Sequence, residues 1–91
     1  MAAQYTGYFN LDSFTAVEGT TKVCTAVDTS TIEGFDGDLN IDMISISRYD
    51  STSGRFKSVI VHYEVDASGI LYIYSDEKFN GKVTINRDST I

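Results

Sequence analysis

The sequence predicts an all-β chain: a small antiparallel β-sandwich or partly open barrel of about seven strands, ending in a C-terminal meander. Three observations lead there. Thr, Val, Ile, Tyr and Phe recur in short runs punctuated by Gly, Asp, Asn and Ser, which is the pattern of strands and turns. No window carries apolar residues at helical spacing. The 91 residues suit one domain with a modest core, so residues 1–91 are read as a single all-β domain.

Strands are expected over roughly residues 4–10, 13–18, 21–27, 39–47, 55–65, 69–75 and 81–87. In the first, alternation places Tyr5 and Phe9 on one face and Tyr8 on the other. The second and third echo each other, Phe14-Thr15-Ala16-Val17 against Cys24-Thr25-Ala26-Val27. The echo occurs once, so it reads as two similar short strands and not as a repeat architecture. The fourth contains a slip in phase. Leu39, Ile41 and Met43 are odd-numbered, whereas Ile44 and Ile46 are even. One regular strand cannot bury both sets on one face, so a β-bulge is expected near Met43-Ile44.

The second half is more regular. Val59, Val61, Tyr63 and Val65 alternate with Ile60, His62 and Glu64, which gives one apolar face. Asp66-Ala67-Ser68-Gly69 reads as a tight turn. Ile70-Leu71-Tyr72-Ile73-Tyr74 is apolar on both faces, as in a central strand covered on both sides. Tyr72 and Tyr74 share one of those faces, and Leu71 and Ile73 the other. Asp76, Glu77 and Lys78 follow as charged gatekeepers against aggregation. Asn80-Gly81 predicts a type I′ hairpin turn, after which Val83 and Ile85 point inward. These last strands are therefore expected to pair in sequence as a meander. Proline is absent, so edge strands are blocked by charge or bulges, or are paired with another chain.

Charge is uneven. The net formal charge is −6, and all of it lies in residues 1–47. There Asp12, Glu18, Asp28, Glu33, Asp36, Asp38 and Asp42 face the single base Lys22, whereas the rest of the chain is balanced. Nucleic-acid affinity needs a cationic surface, so this chain is not expected to bind nucleic acid. The N-terminus has no basic region followed by an apolar stretch, and the run 70–74 is far too short to span a bilayer. The expectation is a cytoplasmic or virion protein without a membrane partner.

The candidate chemistry is thin. Cys24 is the only cysteine and His62 the only histidine. A nucleophile–base pair would need them in contact, but both sit in ordinary strand contexts, and the plain reading is structural. The alternation Asp36, Asp38, Asn40, Asp42 resembles the ligand spacing of a calcium loop. It lacks that loop's glycine and distal glutamate, and in an extended strand it spreads over roughly 20 Å. A solvated strand face explains it. A pair of carboxylates for glycoside hydrolysis would lack a cleft in so small a domain. No catalytic residue, metal site or cofactor is expected.

The remaining assets are surfaces. Tyrosine is common in β cores, yet also at interfaces, where its ring is apolar and its hydroxyl tolerates water; a sugar-stacking surface ranks behind both. Residues 48–57 concentrate Arg48, Arg55 and Lys57 at one hairpin end. That end is opposite in charge to the acidic half, which suits a head-to-tail contact between copies. The candidate interface residues are Asp36, Asp38, Asp42, Arg48, Tyr49, Arg55, Lys57 and Tyr8. The function expected is a non-enzymatic structural or assembly module acting through protein–protein contacts, as a homo-oligomer or part of a larger assembly. A virus-particle accessory (decoration or tail/head) protein belongs to that class. The alternative is a small phage-type inhibitor that blocks a host defence protein through its acidic face.

Overall fold

In the computed structural model, which describes residues 2–35 and 39–88, the chain forms eight strands. They are β1 (Ala2–Phe9), β2 (Thr15–Ala16), β3 (Val23–Asp28), β4 (Ile44–Asp50), β5 (Arg55–Ser58), β6 (His62–Val65), β7 (Ile70–Ser75) and β8 (Gly81–Asp88). One antiparallel sheet has the order β1-β8-β4-β5, and the other β2-β3-β7-β6. The two pack face to face as a small β-sandwich. Its shortest dimension is 20 Å, as expected for two layers about 10 Å apart with side chains on both outer faces.

Hairpins alternate with crossings. β2 and β3, β4 and β5, and β6 and β7 pair within one sheet. Between those hairpins the chain changes sheet, and it does so again between β7 and β8. The last two strands thus insert at the centre of the two sheets, β7 between β3 and β6 and β8 between β1 and β4. Their inward residues, Leu71, Ile73, Val83 and Ile85, are 0% exposed. Val27, Ile44 and Ile46 pack around them. At one end Phe9, Phe14 and Phe79 form an aromatic triad, with ring centroids 5.3–5.8 Å apart. Buried polar groups are paired: Thr25 shares a 2.8 Å hydrogen bond with Ser13, and the Thr29 hydroxyl donates to the Gly69 carbonyl at 2.7 Å.

The all-β class, the antiparallel pairing and the facial alternation are as expected. Phe9 is buried and Tyr8 exposed; Leu71 and Ile73 face inward while Tyr72 and Tyr74 lie half-buried outside. The turn at 66–69 forms as predicted. The Asp66 carboxylate accepts from the Ser68 and Ile70 amides, and Gly69 takes φ +83°.

Five expectations need correction. The last strands do not form a meander, because β8 pairs with β1 and β4 and not with β7. Asn80-Gly81 is therefore no hairpin turn. Neither residue has positive φ, which a type I′ turn requires. Residues 76–80 instead carry the chain from one sheet to the other. The expected strand 55–65 is two strands in different sheets, joined by a crossing at 59–61. Its alternation runs on through the break: Val59, Val61, Tyr63 and Val65 pack on the core, and Ile60 is fully exposed. There is no bulge at Met43-Ile44 either. Residues Ile41–Met43 form a 3-10 turn, capped by the Asn40 side chain on the Asp42 amide, and β4 starts afresh at Ile44. The turn resets the phase, and Ile41 is left half exposed. Finally, β7 is central but is not covered on both sides, because a two-layer sandwich places nothing beyond its outer face.

The β4–β5 hairpin supplies a pH-dependent element. The Asp50 carboxylate meets the Lys57 ammonium at 2.9 Å and accepts from the Ser53 hydroxyl and the Thr52 amide. These contacts, Lys57 first, lower its pKa from 3.8 to about 2. The folded state therefore favours the ionised form. The stability this contributes is fully present above the ordinary carboxylate range and is lost as pH falls through about 2. Urea midpoints at pH 4 and pH 2 should show Asp50→Asn less stable than the wild type at the higher pH, with the gap closing at the lower. A gap of constant size would contradict this.

Candidate functional site

The side chains with unused binding capacity lie on the outer face of the β1-β8-β4-β5 sheet. Period-2 alternation sends Tyr8 of β1, Lys82 of β8, Tyr49 of β4 and Phe56 of β5 to that face. The register then brings them together. Tyr8 pairs with Lys82, Lys82 with Ser47, and Tyr49 with Phe56. The Tyr8 and Phe56 rings lie 6.2 Å apart, and the Tyr49 and Phe56 rings 5.2 Å. The Lys82 ammonium sits over the Phe56 ring at 4.6 Å, a cation–π contact. Tyr8 is 70% exposed, and Tyr49 and Phe56 are each 39% exposed. Three solvated aromatic rings in one contiguous group are a specific feature, whereas scattered exposed apolar residues are not. Around them the face carries Gln4, Thr6, Ser45 and Ser58, all exposed.

Of the expected interface residues, Tyr8 and Tyr49 thus converge. The bases do not join them. Arg48 and Lys57 lie opposite each other on the other face of the hairpin. Arg48 pairs with Glu77 and stacks on the Phe79 ring at 5.6 Å, and Lys57 pairs with Asp50. Carboxylates of the same chain thus engage two of the three bases proposed for a head-to-tail contact. Arg55 is exposed beside the loop, and Asp42 is exposed at the far end of β4. Asp36 and Asp38 lie outside the described residues. Phe56 and Lys82 were missed. Phe56 was legible, since a four-residue loop between Asp50 and Arg55 sets Tyr49 against it. Lys82 was not, because its place beside Tyr8 depends on pairing between the two ends of the chain.

Two other places carry reactive groups. On the outer face of the second sheet, Cys24 lies opposite Tyr74, and Tyr74 opposite His62. Cys24 and His62 are therefore two strands apart, about 10 Å, with Tyr74 between them. Burial pushes the Cys24 thiol up, which disfavours the thiolate a nucleophile needs. His62 instead contacts Glu64 at 3.0 Å, and this hydrogen bond chiefly holds the Glu64 carboxyl below its usual range. At one end of the sandwich a groove of about 1030 Å³ opens over Val17, Val59 and Phe79, flanked by the Lys22–Asp76 and Arg48–Glu77 ion pairs. Among the described residues, no three His, Cys, Asp or Glu side chains are grouped to hold a metal ion, and no buried polar side-chain atom lacks a partner.

No protein family matches the chain, and neither a curated protein nor a solved structure matches it. Among the described residues no helix is long and apolar enough to cross a membrane.

Proposed function

We propose that this protein is a non-enzymatic structural or assembly module that binds other proteins through the outer face of the β1-β8-β4-β5 sheet. The observation that carries this reading is the exposed aromatic group Tyr8, Phe56 and Tyr49 with Lys82 over the central ring. Tyrosine and phenylalanine are enriched at protein interfaces, where a ring fills a partner's pocket at small entropic cost. The hydroxyl-bearing side chains beside them suit a polar rim. A sugar is the weaker fit. Pyranose stacking wants an open, flat ring face, but these rings are tilted by 56° and 60° to each other, and Lys82 already covers one face of Phe56. Multi-copy assemblies such as virus particles, whose accessory proteins are small and non-catalytic, are the proposed setting.

The test is affinity capture from native extract with wild-type protein and a Tyr49→Ser/Phe56→Ser double variant. A protein retained by the wild type and lost from the variant, with both melting alike, supports the reading. Equal retention by both, or binding of the wild type to glycans instead of protein, overturns it. At a hot-spot surface the double variant should weaken binding by at least about 2 kcal/mol, or roughly thirtyfold.

A further inference from the structure

We infer that β1 is a pairing edge for a second copy of this chain, so that two β1-β8-β4-β5 sheets join antiparallel across a two-fold axis into one continuous sheet. This rests on the reading of the protein as an assembly module and names one partner.

Among the described residues the sandwich has four edge strands, and they are not alike. β2 has two residues, and β5 and β6 have four each. β5 carries Arg55 and Lys57, and β6 carries His62 and Glu64. Short length and charge are the usual protections of an exposed edge. β1 has neither. It runs for eight residues as Ala-Ala-Gln-Tyr-Thr-Gly-Tyr-Phe, with no charge and no proline. Its ladder with β8 is unbroken from Ala2–Asp88 to Phe9–Gly81, so no bulge twists the edge away. Among the described residues, β8 is the only strand paired with β1. A regular strand of this length presents a row of backbone donors and acceptors on its open side.

The second copy is the occupant that the charges favour. The chain carries −6, yet residues 1–10 carry no charged side chain. Two copies meeting along β1 place no like charges opposite each other, although each copy carries a net −6. The register follows from facial alternation. Directly opposed residues of an antiparallel pair share a face, so inward residues must meet inward residues. Placing Thr6 on the two-fold axis satisfies this. Tyr5 then lies across from Gly7, a large side chain beside a missing one, on the inner side. Gln4 lies across from Tyr8 on the outer side, and Thr6 meets Thr6. Each Tyr8 is thereby flanked by the partner's edge, and the aromatic group is duplicated on one extended surface.

Sedimentation of the full chain at increasing concentration tests this. We expect the mass to rise from 10.0 kDa to twice that value. Thr6→Lys sets two ammonium groups against each other on an exposed position and should weaken dimerisation at least about tenfold, with an unchanged melting temperature at concentrations where both proteins are monomeric. Thr6→Glu, which sets two carboxylates against each other at the same position, is the second variant should the first fail to fold. In a Cys24→Ser background, Thr6→Cys should form a disulfide-linked dimer on mild oxidation. Gln4→Cys should not, because its own copy lies about 13 Å away, beyond the roughly 7 Å reach of a disulfide. A chain that stays monomeric at about 500 µM, charged Thr6 variants that dimerise like the wild type, or cross-linking at Gln4→Cys and not at Thr6→Cys overturns the inference. Tyr49 and Phe56 lie on strands away from this edge, so their variants should dimerise normally. Loss of partner capture and loss of dimerisation are thus separate results.

Discussion

Gly81→Ala is expected to lower the melting temperature by about 12–24 °C, the largest effect of a glycine-to-alanine change among the described residues. The reason is position, not backbone conformation, since Gly81 does not have positive φ. It opens β8, the strand that runs between β1 and β4, and it lies opposite both Phe9 and Arg48. A methyl there would overlap the Ser47 carbonyl oxygen and approach Phe9 Cζ to 2.8 Å and Phe79 Cε2 to 3.1 Å. The Ser47 carbonyl belongs to β4, which is held between β8 and β5. Relief therefore requires β8 to shift against β4, which costs about 3 kcal/mol in a close-packed core. Scanning calorimetry measures the change directly. A shift under about 3 °C would mean that the strand end relaxes freely.

Phe79→Ala should be as damaging for the opposite reason. Phe79 is buried at the end of the sandwich, where its ring meets Phe9 and Phe14 and carries the Arg48 guanidinium on one face. Removing it empties the centre of the aromatic triad and costs about 3–5 kcal/mol. A domain of this size has a total stability of about 5–14 kcal/mol, so the variant is expected to be partly unfolded at 37 °C. Urea denaturation should show a lower midpoint with an unchanged slope. Phe79→Leu, which refills most of the space, should recover at least half of the loss. If alanine and leucine behave alike, the loss comes from the ring contacts and not from the emptied volume.

Both residues sit in the segment where the sequence misled. Asn80-Gly81 has the composition of a two-residue hairpin, and locally nothing distinguishes it from one. In the structure the Asn80 carboxamide oxygen instead accepts the Leu11 amide at 3.0 Å, and its carbonyl accepts from the Tyr49 amide at 2.7 Å. Asn80 ties the crossing to β1's exit and to β4, and Gly81 leaves room for the Ser47 carbonyl and the rings of Phe9 and Phe79. These requirements come from residues 69 and 31 positions away, and no local pattern encodes them. The run 55–65 misled in the same way. Its alternation is intact, but period 2 states which face a residue takes and not which sheet it joins. The candidate site divides along the same line. Tyr49 and Phe56 meet through a local hairpin, whereas Tyr8 and Lys82 join them only through the pairing of the first strand with the last.

The sequence by itself determined the class of fold, the strand positions to within a few residues for most elements, and the inward or outward face of nearly every strand residue. These are local properties. Propensity, turn chemistry and the two-residue period of an extended chain act over two to eight residues. The tertiary structure alone decided the order of the strands, the insertion of β7 and β8 into the two sheet centres, and the aromatic group on the outer face. It also decided that β1 is left as the long uncharged edge. Those outcomes depend on which distant apolar faces bury each other best. That is a competition over the whole chain, so the pattern within any one strand leaves it open.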